Sequence, residues 1–239
     1  MVIEPAAVVV SVYRRRNADV LDQALAEARR AGWSCVLWAL DEIAPALAEW
    51  TVGSGPGTKF GLVRQLVAGL DLGVDEAVVV LDDDVLVSGG LELLLRRMGQ
   101  VQAGLGQPAH SRGSHWSHPI TRRRPWSRAR LTTFVEIGPV FVVAASARRL
   151  LAALPDSMGW GLELEWWRLW KAGELRMAII DDVRMTHLVA PGADYGLDAH
   201  RAETARELAG AGFGDWRDLQ RTVATWPVWR RQPPARMVG

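Results

Sequence analysis

The sequence predicts an α/β fold, a single domain in which a Rossmann-like, mostly parallel sheet is flanked by helices. Three observations carry that prediction. Short runs of branched apolar residues alternate with amphipathic segments of helical period from Ala6 to Leu81. These apolar runs show no polar alternation, as expected of parallel strands buried on both faces. A chain of 239 residues, 49% apolar and 23% charged, is long enough to enclose one large core between such layers.

Ala6 to Val12 (AAVVVSV) reads as the first strand. Asn17 stands where a helix reaching Arg30 needs its N-cap, with Val20, Leu21, Ala24, Leu25 and Ala28 on the apolar face and Gly32 at the end. Ser34 to Leu40 is a second strand, Asp41 to Trp50 a short helix, and TVGSGPGT a glycine-rich loop. Lys59 to Leu72 sets Leu62, Leu66, Val67 and Leu70 on one helical face. Glu76 to Leu81 (EAVVVL) is the third strand and runs directly into Asp82, Asp83 and Asp84. After a helix from Leu91 to Met98, Gln100 to Arg130 reads as a long irregular segment. Thr133 to Ala145 returns to strand character, and Arg148 to Leu154 is a short helix. A helix from Leu162 to Ala172 follows the MGWG approach, and Arg176 to Met185 is a late strand ending at Thr186 and His187. Helices from Asp198 and Asp215 precede a tail, Trp226 to Gly239, whose Pro and Arg content predicts disorder.

The balance of 28 Lys plus Arg against 27 Asp plus Glu leaves a net charge of +1, which proposes neither nucleic acid nor a membrane as a global partner. One cysteine, Cys35, excludes an internal disulfide and a thiolate zinc cluster and fits a reducing compartment. The N-terminal MVIEPAAVVVSVYRRR has its acid and proline before the apolar run and its basic residues after it, the reverse of a secretory signal. No apolar stretch approaches the roughly 20 residues of a membrane span, so the expected location is cytoplasmic, with peripheral membrane contact left open. Twelve tryptophans are a large share; indoles fill cores and also stack on sugar rings and bases.

The triple aspartate is the sharpest chemical signal. Adjacent carboxylates repel and are expensive to bury, so a divalent cation or a solvated turn must account for them. In an extended stretch Asp82 and Asp84 point to the same side, and hard oxygen ligands suit Mg2+ or Mn2+ on a diphosphate. His187, at the end of the late strand, adds an imidazole that manganese accepts. Lys59, one of two lysines, follows the glycine-rich turn at a helix start and pairs in the reading with Arg64 as an anion contact. Glu163 and Glu165 lie in a helix's first turn, where acids also complement the helix dipole, and Glu163 shares a face with Trp167 away from the core stripe. His110, His115 and His118 fall in a Ser-, Pro- and Arg-rich segment without metal-ligand spacing and read as surface loop.

With those residues in place, the chain resembles the GT-A class of nucleotide-sugar glycosyltransferases. The likeness rests on VVVLDDDV as an Asp-x-Asp after a Rossmann-like half and on Gly159-Trp160-Gly161-Leu162-Glu163. That second motif is similar to the Trp-Gly-x-Glu acceptor segment of several inverting families. His187 stands where many members place a metal ligand. The resemblance implies a GT-A type fold over residues 6–190 and a metal-dependent transfer of sugar from a nucleoside-diphosphate donor, UDP-sugars favoured, to a small-molecule, glycan or other hydroxyl acceptor. It further implies Asp84 and His187 on Mn2+ or Mg2+, Asp82 with Asp83 on the donor, and backbone atoms of Ser11, Val12 and Tyr13 around the base with Arg14 toward a phosphate. Glu163 would be the base of an inverting transfer, with Trp160, Gly161 and Gly138 beside the acceptor. The pattern departs at Leu164, where such families often have an acid, which leaves Glu165 as the alternative base and inversion open.

In these terms residues 1–99 form a nucleotide-binding half, 100–190 an acceptor and metal half, and 191–239 a helical C-terminal segment and tail. Two other readings compete. A sugar-phosphate nucleotidyltransferase shares the half-fold but wants a Gly-rich basic loop after the first strand, where VVVSVYRRRN has no glycine. A non-catalytic anion or nucleic-acid binding module would use the arginine-rich segment 112–130, although the chain as a whole predicts no nucleic-acid partner.

Overall fold

The computed structural model describes residues 6–190 and 198–234, with the backbone alone for 198–203. Residues 235–239 of the expected tail lie outside the described residues. In chain order the elements are β1 (Ala7–Tyr13), α1 (Ala18–Arg30), β2 (Ser34–Ala39), β3 (Thr51–Ser54), α2 (Lys59–Ala68), β4 (Ala77–Asp82), β5 (Val85–Ser88) and α3 (Leu91–Gln100). Then come β6 (Leu105–His110), β7 (Ser127–Thr132), β8 (Val140–Val143), α4 (Arg149–Ala152), α5 (Leu162–Lys171), β9 (Met177–His187), α6 (Asp198–Gly210) and β10 (Thr222–Pro227). Among the described residues they form a ten-stranded sheet in the order β10-β7-β9-β6-β8-β4-β1-β2-β3, with β5 paired to β9.

Among the described residues β1, β2, β3, β4, β6, β9 and β10 run one way, and β5, β7 and β8 run the other. The sheet is thus mixed and mostly parallel, one α/β domain as expected. Alternation within the apolar strands separates two cores. Val9, Val79 and Leu81 pack with Leu21 and Leu25 of α1 and Leu94 of α3 on one face. Val8, Val10, Val78 and Val80 pack with Phe60 and Val63 of α2, Leu151 of α4 and Trp166 of α5 on the other. Each fully buried Val or Leu contributes about 1.5–3 kcal/mol, so the continuous apolar runs are what hold both helical layers to the sheet.

Four local expectations are corrected. The helix read from Asp41 to Trp50 is a 3-10 segment, Pro45–Trp50, and the glycine-rich stretch after it opens with the edge strand β3. The segment Gln100 to Arg130 holds β6, buried along its whole length, and the start of β7. LGQPAH has no β-branched residue and a proline without a donor, so propensity hides a strand; the register with β9 breaks between Pro108 and Ala109. Of Thr133 to Ala145, Val140–Val143 is strand, and the bend before it carries Glu136 inward. At the C-terminus, Asp215 caps a 3-10 turn rather than a helix, and Trp226 belongs to β10 instead of a disordered tail. Trp226 is fully buried, its indole flanked by the guanidiniums of Arg97 and Arg128 at 4.9 and 5.9 Å.

Candidate active site

Parallel neighbours in register point to the same side, so Trp38, Val12 and Asp82 form one row across β2, β1 and β4. The row faces α2. Lys59, in the first turn of that helix, brings its Nζ to 2.6 Å from Asp82 Oδ1 and 3.4 Å from the Ile137 carbonyl. Gly138 closes over this pair: a Cβ there would stand 3.1 Å from Asp82 Oδ2 and 3.2 Å from Lys59 Nζ. Trp38, unremarked in the sequence, is half-buried at the strand's end, lies against Gly53 and donates its indole N–H to the Gly55 carbonyl at 2.9 Å. Ser11 and Tyr13 point to the opposite face. The Tyr13 hydroxyl lies 3.0 Å from Thr51 Oγ1, and its carbonyl accepts from Leu40 N at 2.7 Å, so of these three strand-end residues only Val12 turns its side chain into the row with Asp82.

The three aspartates divide. Asp83 accepts from Arg14 N at 2.7 Å and from the Asn17 side chain, which serves here rather than as the helix cap. Burial raises its pKa to about 6, opposed by those hydrogen bonds, and the carboxylate fixes the turn after β1 rather than facing Lys59. Arg14 itself is exposed. Asp84 sits at the turn between β4 and β5, with Oδ2 at 3.1 Å from His187 Nε2 at the end of β9. Val85 pairs with His187, so the β5–β9 ladder sets this approach. Burial opposes protonation of His187, but the hydrogen bond and charge of Asp84, with Asp82 and Glu136, outweigh it and raise the pKa.

Glu163, at the start of α5, is buried at 4% exposure and accepts weakly from Ile137 N at 3.4 Å. Desolvation first and the Glu136 charge second push its pKa up to about 8. Glu136 meets His110 Nε2 at 3.2 Å; His110 Nδ1 meets Ser114 Oγ at 2.7 Å, and that hydroxyl accepts from His187 N at 2.8 Å. His110, expected on the surface, is therefore a buried link between Glu136 and His187, and His118 is half-buried against Phe134 with the ring centroids 4.6 Å apart. His115 is exposed, as expected.

The raised pKa of Glu163 has a stability consequence. Between its ordinary value of 4.5 and about 8 the folded state holds a proton that the unfolded chain has released, so stability falls as pH rises through this window. Glu163→Gln removes the effect. The variant is expected to match the wild type near pH 4.5 and to exceed it progressively toward pH 8, with a melting temperature that rises relative to the wild type across the window. Thermal unfolding of both proteins across that range checks it.

Other expected site residues scatter. Glu165 is exposed and paired with Arg168, away from Glu163. Arg64 leaves Lys59 and donates to the Leu154 carbonyl at 2.8 Å on the rim of a 770 Å³ cavity between α2 and α4, which none of Asp82, Asp84, His187 or Glu163 lines. Gly161, with φ +97°, is the left-handed entry to α5, and its Cα faces the Glu207 carboxylate; Trp160 beside it is half-buried. Gly159, with φ +84°, lies against the Phe60 ring so closely that a Cβ would overlap it. Gly159→Ala is expected to cost ~2–4 kcal/mol through left-handed strain and overpacking, read as a lower urea midpoint at unchanged m.

The arginine segment is tied to the interior at several points. Arg130 is fully buried and bidentate on Asp181, at 2.8 and 3.0 Å, with its remaining donors on the Ile120 and Arg122 carbonyls at 2.7 and 2.9 Å. Arg123 donates to the Asp181 carbonyl at 3.2 Å and Arg128 reaches Asp182 at 3.3 Å. These contacts anchor the segment from within, while Arg112, Arg122 and Arg123 remain exposed.

Among the described residues no group of three or more His, Cys, Asp or Glu could hold a metal alone. Asp84 and His187 come together as two donor side chains, while Asp82 is held by Lys59. Hard cations bound with substrate phosphates use one or two protein ligands and complete their shell with phosphate and water oxygens, so this donor set fits a cation that arrives with a diphosphate.

The fold and the strand-end position of these residues define an α/β domain of GT-A-like type. Its likeness to the crystal structure of GalNAc-T7 with UDP, GalNAc and Mn2+ has a TM-score of 0.60 at 13% identity, over 85% of this chain and 48% of that one. The chain thus spans about half the length of that protein. A197 from STIV overlaps more loosely, with a TM-score of 0.41 and 9% identity over 77% of this chain and 86% of the other. No protein-family model and no curated protein matches the sequence. No helix among the described residues is long and apolar enough to cross a membrane.

Proposed function

We propose that the protein is a metal-dependent glycosyltransferase that moves a sugar from a nucleoside diphosphate, with UDP-sugars the favoured donors, to an acceptor hydroxyl. The observation that carries this reading is the convergence of Asp82, Lys59, Asp84, His187 and Glu163 on one strand-end site in a fold like that of a UDP- and Mn2+-bound transferase. Asp84 and His187 would hold Mn2+ or Mg2+, which when bound neutralises charge on the departing diphosphate. Trp38 and Val12 offer an apolar ledge for the base, and Asp82, fixed by Lys59, offers an acceptor to the donor's hydroxyls. Glu163 takes the proton of the acceptor hydroxyl as its oxygen bonds to the anomeric carbon; the bond from that carbon to the diphosphate breaks, and its electron pair leaves with the nucleotide. One displacement of this kind inverts the anomeric centre.

Burial suits Glu163 to this work, because a base with a pKa near the working pH combines availability with basicity. Release of UDP from a panel of UDP-sugars tests the reading. Release that requires Mn2+ or Mg2+ and stops with chelator supports it. Release from no donor, or equally with chelator present, rejects it.

A further inference from the structure

The tryptophans that are exposed, Trp116 at 38%, Trp126 at 59% and Trp229 at 72%, share one rim of the protein. Trp126 precedes β7, Val228 follows β10 and Leu188 follows β9. Given the strand directions, all three stand at the sheet end that carries Asp82 and Asp84. The rim is continuous: Val228 N donates to the Trp126 carbonyl at 2.9 Å, Arg123 N to the His110 carbonyl at 3.0 Å, and His115 N to the His187 carbonyl at 3.1 Å. Arg122 lies over the Trp116 ring at 5.1 Å.

Charge is segregated in the same place. No Asp or Glu occurs in residues 111–130, 183–190 or 219–234, although acids and bases nearly balance over the whole chain. Arg112, Arg122, Arg230 and Arg231 are exposed there. Leu188, Val189 and Val228 add exposed aliphatic surface at 42%, 36% and 38%.

We propose that this rim docks the protein on an anionic lipid surface, with the candidate active site facing the bilayer. Arginines supply attraction to acidic headgroups, and indoles with aliphatic neighbours enter the interfacial layer, where amphipathic rings concentrate. A nucleic acid would use the arginines and indoles but gain little from Leu188, Val189 and Val228. If the transferase reading also holds, the acceptor hydroxyl is membrane-borne; the docking itself does not depend on that reading.

The test is sedimentation of the full chain with vesicles of phosphatidylcholine alone and of phosphatidylcholine with phosphatidylglycerol. Partitioning at least ~10-fold stronger onto the anionic vesicles is expected, with a blue shift of tryptophan emission. A Trp126→Ser, Trp229→Ser variant and an Arg230→Gln, Arg231→Gln variant should each lose at least ~10-fold in partitioning while melting like the wild type. Equal or absent binding to both vesicle types overturns the proposal. So does tighter binding to a single-stranded oligonucleotide than to the anionic vesicles, and so does full retention of vesicle binding in both variants. Because vesicle binding needs neither donor nor metal, its failure is separate from any failure of the transferase reading.

Discussion

Replacing Arg130 by alanine is expected to cost about 3–5 kcal/mol and to leave little folded protein at physiological temperature. The guanidinium is enclosed by β7, β9 and the 120–124 turn and is bidentate on Asp181, which is equally buried. Removing it strands a carboxylate with no water to solvate it and frees two backbone carbonyls in the interior. Arg124 N also bonds Asp181 at 2.8 Å, so the turn that fixes His110 through Arg123 loosens with it. Arg130→Met with Asp181→Leu, which leaves no buried charge, should recover part of the loss. Urea denaturation measures both; a single variant within ~1 kcal/mol of wild type would show that the pair is not the anchor described.

Glu163→Gln is expected to lower kcat/KM by ~10²–10⁴ while leaving UDP affinity unchanged, since the amide keeps the shape of the side chain but takes no proton. Glu165→Gln should stay within about twofold, because that carboxylate is exposed and paired with Arg168. The reverse outcome would move the base to Glu165. Taken with the stability gain expected of Glu163→Gln above pH 4.5, this separates function from folding at one residue, as expected where burial of an ionisable group is retained for chemistry rather than stability.

The strands that carry the site were legible because they are runs of Val and Ile with no polar register. The carboxylates at the end of β4 were legible because three adjacent acids after such a run are hard to place otherwise. Position within a motif did not reveal direction. Asp82, Asp83 and Asp84 look alike in sequence, yet one faces Lys59, one ties down Arg14 and Asn17, and one meets His187. Likewise Lys59 and Arg64, neighbours in the chain, diverge because five residues on a helix turn the side chain to another face. β6 was hidden by Gly, Gln and Pro, and with it His110, which sits at its end and not in a loop. β10 was hidden by tail-like composition, and its pairing with β7 shifts register twice, so TVATWP carries no clean alternation. The bond of Glu136 to His110 depends on the bend before β8, which no local pattern reveals.

The most direct measurement is a titration of UDP into the wild type and into Asp84→Ala, each with Mn2+ and with chelator. Two protein ligands bind a cation weakly alone, so metal and diphosphate should bind together. The expected result is wild-type affinity for UDP at least ~10²-fold higher with Mn2+ than with chelator, and no such difference in Asp84→Ala. UDP binding that ignores the metal, or metal-dependent binding that survives in Asp84→Ala, would contradict the site assigned to Asp84 and His187.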